Sequence, residues 1–427
     1  QRAAVILDRM ADFYPEMDEQ MGRDLGFYTS YGPGRIMGRG WEYPRIRRPI
    51  AEAYSLIRDA MLQDKALLQF VNDMSEKYEG ADKSSFAALD AHLRENLLVE
   101  FIEDVMEHEN PAKARGRAQA AVAVAAAALN DPERTPGYID WLLKEDGGQL
   151  PDVLVEHLQR DGLNVNSGHV YMISTGFSMY RIAEILLQAD ASELNPYTEF
   201  PNLISSFTML SRTRVLDKTQ PQMGDGGSSM SMRTKRYPMQ MLVEGFRRFE
   251  TEAIAREIML NNPADWRDQV LQEAIYEKDP EALLEAIEAH APAAPIPHRS
   301  YNSGGTGFAA LQAPSRENER AAGLWYGRTM NPSHAHADRL TLHLWAFNTV
   351  LMPDMGYPAH TGDWPKRHGF TRHTVSHNTL MVNDTRQGAS YSGKTRLFAE
   401  EGPLRVIDVD GRGVPTDRAW KDGRKWD

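Results

Sequence analysis

Residues 290–305 read HAPAAPIPHRSYNSGG, and the chain keeps a different period on each side of this stretch. Its three prolines remove backbone donors and fix φ, and two glycines follow, so no helix runs through it. Upstream, apolar residues recur at helical spacing. Ala51–Met74 sets Tyr54, Ile57, Met61 and Leu68 near one stripe; Ser85–Glu109 does the same with Leu89, Leu93, Leu97, Phe101, Ile102 and Val105. Ala112–Leu129 is rich enough in alanine to predict a helix packed closely on its neighbours. Further helices are predicted at 151–160, 169–188, 239–252 and 280–291, with Pro and Gly in the connections TPGY (135–138), DGG (146–148) and PQMGDGGSS (221–229). Helices joined in this way fit hairpins arranged as a toroid or solenoid.

Downstream the period becomes two. Arg339–Met352 alternates Leu340, Leu342 and Leu344 with Thr341, His343 and Trp345, and AAGLWYGR (321–328), HNTLMVN (377–383), TRLFAE (395–400) and PLRVIDVD (403–410) read as short strands. The fold class expected is therefore α+β and multidomain. An N-terminal (α/α) toroid over 1–292 is followed by a linker at 293–304 and an antiparallel β-sandwich over 305–427, incomplete at Asp427.

The chain has 427 residues, enough for more than one core. Its 60 acidic and 48 basic side chains leave a net charge of −12, which argues against general nucleic-acid or anionic-membrane binding. Cysteine is absent, excluding disulfides, thiolate metal sites and cysteine nucleophiles. The longest apolar run, Ala120–Leu129, is half the roughly 20 residues a membrane span needs. The chain opens on Gln1-Arg2 with no initiator Met and no signal peptide, and is expected to be a fragment of a longer product.

The densest chemistry lies in NPSHAHADRLTLHLWAFNTVLMPDMGYP (331–358) and RHTVSHNTLMVND (372–384). His334, His336 and Asp338 stand at i, i+2, i+4, which on a strand puts all three on one face. Two imidazoles and a carboxylate make an adequate zinc site if a fold gathers them. Scattered loop histidines are the plainer reading of an isolated HxH, and His343, His360, His368 and His373 crowd the same region.

These two segments resemble the β-domain core of the heparinase II/III-like polysaccharide lyases, with a GHxHxD-like strand, a D-x-G turn and an HNT strand. DGLNVNSGHVYMISTGFSMY (161–180), where a DG turn is followed ten residues later by Tyr171 on a helix, is similar to the family, as is the PQMGDGG loop. The resemblance implies an (α/α) toroid joined to a β-sandwich, and β-elimination on a uronate-bearing polysaccharide. It implies Tyr171 as general acid and candidate base, His334 as base or carboxylate partner, and His169 as a further candidate base. His336, Asp354 and His377 match the family's metal set, implying a structural divalent metal, zinc first and calcium as the alternative. Gln119, Asn166, Asp225 and Tyr326 are expected to contact substrate. An unperturbed tyrosine titrates near 10, so a catalytic Tyr171 needs nearby positive charge; His169, Arg160 and Arg181 are close in sequence.

One departure stands out. The family places an Asn or His on an alanine-rich helix before the tyrosine, to neutralise the substrate carboxylate. Here PAKARGRAQAAVAV (111–124) has neither; Arg117 and Gln119 occupy the region, with Asn110 just upstream. Arginine can grip a carboxylate through two parallel hydrogen bonds, so Arg117 is the expected substitute. RTKR (233–236) and the 113–117 run are the candidate basic surfaces for a polyanion.

The expected protein is thus a periplasmic or secreted lyase with an anionic uronate polysaccharide as its partner, no nucleic acid and no membrane insertion. A glycoside hydrolase would need two carboxylates across a cleft, for which Asp225 and Glu199 are conceivable. A non-catalytic glycan-binding relative is the other alternative.

Overall fold

In the computed structural model of the chain, the described residues are 1–18, 24, 28–29, 32–107, 116–158, 161–162, 169–189, 194–209, 213–225, 238–274, 277–291, 297–327, 334–356, 366–387, 393–402 and 404–411. By contact they form two compact units, Gln1–Val155 with Ser178–Phe200, and Glu156–Phe177 with Pro201–Asp427.

The first unit is helical. Its longer helices are α1 (Arg2–Phe13), α2 (Arg48–Met61), α3 (Lys65–Lys77), α4 (Phe86–Leu93), α5 (Glu100–Met106), α6 (Arg117–Leu129), α7 (Thr135–Leu143), the start of α8 (Leu150–His157) and the end of α9 (His169–Gln188). The centre is α6, whose Ala118–Ala126 positions are all buried and which packs on α2, α5 and α7. Alanine lets those neighbours approach closely, as its composition predicts. The expected helix 51–74 is two helices, because the Asp64 carboxylate accepts from Leu67 N (3.0 Å) and starts α3 anew. Between α4 and α5 the helical path continues through one π-type stretch, Arg94–Val99. A wholly buried Arg47 is held by Glu42 (3.0 Å) and Asp104 and faces the rings of Tyr14, Tyr43 and Phe101.

The second unit joins helices to sheet. α10 (Met239–Phe249), α11 (Glu252–Asn261), α12 (Trp266–Glu273) and α13 (Pro280–His290) precede the sheet. The expected helix 239–252 stops early because Glu250 turns left-handed (φ 44°) and Thr251 caps the next helix. The sheet is antiparallel in sequential order, β1 (Tyr301–Ser303), β2 (Phe308–Gln312), β3 (Arg320–Trp325), β4 (Thr341–Ala346) and β5 (Thr349–Val350). β1 lies inside the stretch read as linker. A ribbon of β6 (Lys394–Ala399) and β7 (Val406–Asp410) packs near β2. Among the described residues the β half is therefore one five-stranded sheet with a separate two-stranded ribbon.

The stretch expected as one strand over 339–352 is a hairpin. Phe347 and Asn348 both have φ 54° and form a two-residue turn of the type that suits the strand twist. On β4 the buried side is Thr341, His343 and Trp345, while Leu342 and Leu344 are half-buried.

Candidate functional site

Three short segments of the second unit converge. The loop ending at Asp225 lies beside 334–338: Asp225 N donates to His334 O (3.2 Å) and Gly224 N to the Asp338 carboxylate (3.4 Å). That loop is anchored from behind. Leu216 N donates to the Gln312 side chain of β2 (2.6 Å), Val215 bridges Thr219, and buried Arg214 is paired with Glu257 of α11. The segment 334–338 is not a strand, and its backbone is held across loops instead, with Ala337 N donating to Arg372 O (3.0 Å). Alternation of side chains survives, since His334, His336 and Asp338 all engage the 224–225 loop. The HNT segment is likewise irregular, and the side chain of each residue bonds to a neighbouring segment. His377 Nδ1 meets Asp354 Oδ2 (2.7 Å), Asn378 donates to Pro353 O (3.0 Å), and the Thr379 hydroxyl donates to Arg339 O.

Asp225 is 3% exposed and is gripped by three basic side chains: His334 Nδ1 on Oδ2 (2.7 Å), His336 Nε2 on Oδ1 (2.8 Å) and the Arg367 guanidinium on Oδ2. Burial alone would raise this carboxyl, but the bonds from His334, His336 and Arg367 hold it well below the usual carboxylate range. An ionised carboxylate only accepts, so both imidazoles must donate to it. In a neutral ring this leaves the lone pair on Nε2 of His334 and on Nδ1 of His336. His334 is the more open of the two, its side chain 23% exposed against 0% for His336.

His336, Asp354 and His377 are buried and offer ligand atoms that all lie within 4.8 Å of one another. Their chemistry fits a divalent metal. The buried Nδ1 of His336 and Nε2 of His377 have no hydrogen-bond partner among the described residues, and the two rings stand 5.2 Å apart. Asp354 sits in the expected D-x-G turn, where its Oδ1 accepts from Gly356 N (2.8 Å) at a left-handed glycine (φ 57°). Burial would raise Asp354, but the facing His377 lowers it; the same pair raises His377 against burial. Fully buried His343 lies electrostatically close to Asp354 and Asp338 but is outside the trio.

The DG turn predicted before Tyr171 has a clear structural job. Asp161 accepts from Thr306 N (2.7 Å) in the β1–β2 connection, and Gly162 has φ 79°, where an added Cβ would lie 2.4 Å from Ser205 C. Tyr171 and His169 fall on α9, and their side chains lie outside the described residues, as do Asn166, Asn110 and the 233–236 run. Arg117, in the first unit, is buried, donates to Gly40 O (2.9 Å) and lies over Trp41. Gln119 is fully buried and donates to Gly148 O (2.6 Å). Tyr326 is 1% exposed; its hydroxyl donates to Asn302 and accepts from Thr395 (2.8 Å). Sequence reasoning missed Arg367, which nothing but its basic character marks.

Residues 306–420 match the family described as heparinase II/III-like, C-terminal. Over those residues the chain is similar to that family. The resemblance read from the HAHAD and HNT segments thus holds. The chain is also similar to a solved heparinase III, with 14% identity and TM-score 0.53 over 95% of this chain and 55% of that one. It is similar as well to the heparan sulfate lyase HepC from Pedobacter heparinus, with 15% identity and TM-score 0.50 over 87% of this chain and 49% of the other. It spans about half the length of these solved relatives. At such identities the likeness is one of fold, an N-terminal helical toroid followed by an antiparallel sheet domain. No curated protein matches the chain. Among the described residues no helix is long and apolar enough to cross a membrane.

Proposed function

We propose that this chain belongs to a polysaccharide lyase that cleaves an anionic, uronate-bearing glycan by β-elimination. The observation that carries the reading is the His334–Asp225 pair. A partly exposed imidazole is fixed through Nδ1 by a buried carboxylate, which in the neutral ring puts the lone pair, and so the base, on Nε2. The proton at C5 of a uronate is too weakly acidic to leave unaided, so a base must take it while an acid protonates the leaving O4. In this reading His334 removes the C5 proton and Tyr171 supplies the proton to O4. The phenol of Tyr171 serves as an alternative base, and His169 is a weaker candidate for that step.

His336, Asp354 and His377 would hold zinc, with calcium as the alternative; bound there, the metal would brace the segment that carries His334 against those that carry Asp354 and His377. The site's nitrogen ligands favour zinc over calcium, which takes oxygen. Gln119, Tyr326 and Asp225, each buried and engaged with protein groups, pack and position in this reading instead of touching sugar. Arg117, turned to Gly40, leaves the carboxylate's partner to another residue. Asp225 is likewise no candidate for a hydrolase pair, since three basic donors already occupy it. A periplasmic or secreted location suits a polymeric substrate of this kind.

The test is incubation with heparan sulfate, alginate and ulvan-type polymers. A lyase leaves an unsaturated, ultraviolet-absorbing sugar end, and Tyr171→Phe should abolish it while leaving the fold and polymer binding unchanged. New reducing ends without that chromophore would mean a hydrolase. Polymer retained but uncut would mean a binding protein.

A further inference from the structure

The Asp225 carboxylate touches two histidines to which different roles have just been given. His334 is the base of the proposed elimination, and His336 is one of the three metal-competent side chains. We propose that Asp225 is the positioning residue of the site, a single buried carboxylate that fixes the tautomers of His334 and His336 together and so ties the aim of the base to that of the metal-binding ring. The role assigned to His334 rests on the lyase reading; the coupling of the two rings does not.

The geometry is specific to a carboxylate of this length. Oδ2 takes His334 Nδ1 at 2.7 Å, and Oδ1 takes His336 Nε2 at 2.8 Å. Opposite nitrogens of the two rings are thereby held, the rings reaching Asp225 from residues i and i+2 of one loop segment. His334 is left with Nε2 as its lone-pair atom and His336 with Nδ1, the atom that lacks a partner among the described residues and belongs to the ring 5.2 Å from His377. Arg367 adds the third donor and supplies the countercharge, so Asp225 does not need a charged imidazole to balance it. A carboxylate has about four acceptor positions, and three donors here make it well satisfied despite its burial. An asparagine would turn an N–H₂ toward one of these donors. A glutamate would carry the acceptors one methylene further out.

The backbone holds the carboxylate in register as firmly as the side chains do. Asp225 N donates to the carbonyl of His334, the residue whose ring its own side chain accepts from, and Gly224 N donates to Asp338. Loop and histidine segment are thus bonded at main chain and side chain alike. Metal-binding histidines commonly give their second ring nitrogen to such a carboxylate, and losing it typically costs roughly 10- to 100-fold in metal affinity. Here the same carboxylate has a second client.

The experiment begins with the unaltered protein carrying ¹⁵N-labelled histidine, stripped of metal. Long-range ¹⁵N–¹H spectra, assigned with His334→Gln and His336→Gln, should show His334 protonated at Nδ1 and His336 at Nε2. The opposite tautomer at either ring overturns the proposal, whether or not the protein is a lyase. In Asp225→Asn, with folding checked by circular dichroism, at least one ring should populate its other tautomer. Zinc titrated against a competing chelator should bind roughly 10- to 100-fold more weakly than to the unaltered chain. Elimination should lose kcat with little change in KM. Unchanged tautomers and unchanged zinc affinity in that variant would refute the coupling. A protein without lyase activity that still shows both tautomers, and their loss in the variant, would sink the lyase reading and leave the coupling standing.

Discussion

His343 shows how a residue's surroundings decide what its chemistry is worth. It is wholly buried on β4, its ring stacked on Trp345 (5.6 Å, 10°) and edge-on to Phe308 (5.9 Å), and neither ring nitrogen has a hydrogen-bond partner among the described residues. Burial holds its pKa below the ordinary imidazole value near 6.5, although Asp354 and Asp338 pull the other way. The sign follows. A group whose folded pKa is depressed binds its proton more readily when unfolded, so its share of stability is complete above about 6.5 and is lost as pH falls. A buried polar group left unpaired costs about 1–3 kcal/mol, whereas a ring of similar shape without polar atoms costs nothing of that kind. His343→Phe is therefore expected to raise stability by about 1 kcal/mol at neutral pH, and by more at about pH 5.5, where the wild-type ring is under pressure to charge. Denaturant unfolding of both proteins at the two pH values measures this, and a destabilised variant would show that the imidazole has a partner that matters.

Among elements, the contact between α2 and α4 hangs on one polar triad. Tyr54 OH donates to Asp90 (2.6 Å), and Arg58 reaches both Asp90 (2.8 Å) and Tyr54 (3.0 Å). Burial and the bond to Asp90 push the Tyr54 phenol up to about 12, and Arg58 and Tyr54 keep Asp90 low although burial would raise it. The phenol's contribution is present below about 10 and fades as pH climbs through about 12. The carboxylate's is present above about 3.8 and fades as pH drops below it. Asp90→Asn should cost about 2 kcal/mol at neutral pH, the value of a hydrogen bond to a charged group, and the deficit should shrink in acid. Thermal unfolding of both proteins across pH is the check, and a deficit that does not change with pH would detach it from ionisation. Elements of this kind differ in how far the sequence announces them. α9 and α13 coincide with their predicted spans within a residue, because a periodic apolar stripe and a Pro or Gly stop are local properties. The break at residues 62–64 was missed because apolar spacing says nothing about a capping carboxylate, and 334–338 and 377–379 alternate like strands while their backbone bonds run to loops. In the site, the HAHAD spacing alone grouped His334, His336 and Asp338; it was the family resemblance that named His336, Asp354 and His377, whose ligand atoms the fold brings within 4.8 Å of one another. The place of Asp225 was not legible, since a carboxylate 109 residues before His334 in a Gly-rich loop gives no periodic signal.

At the scale of the molecule, the two units differ in how they treat a place fit for a cation. Among the described residues there are two clusters with metal-ligand composition, His336–Asp354–His377 in the second unit and Asp8–Asp12–His92 in the first. The latter already contains its cation. Lys83, 1% exposed, sets its ammonium 2.6 Å from Asp8 and 2.7 Å from Asp12, and His92 bonds to the same Asp12 oxygen (3.0 Å). A metal ion entering there would have to displace a buried, doubly paired ammonium and leave it uncompensated, which typically costs about 3–5 kcal/mol. The other cluster asks for no such exchange, because two of its imidazole nitrogens have no hydrogen-bond partner among the described residues. The chain should therefore take up one zinc per molecule, and His336→Ala should take up none. Because zinc would bind the folded state alone, an excess of about 1,000-fold over its Kd should add about 4 kcal/mol of stability and raise the melting midpoint. Hydrogen exchange should place the added protection at 220–225, 334–356 and 371–379, and leave Asp8, Asp12 and their helix α1 as they were. Two zinc ions per chain, or protection that appears first in α1, would show that the ammonium of Lys83 yields its place and that the first unit also takes a metal.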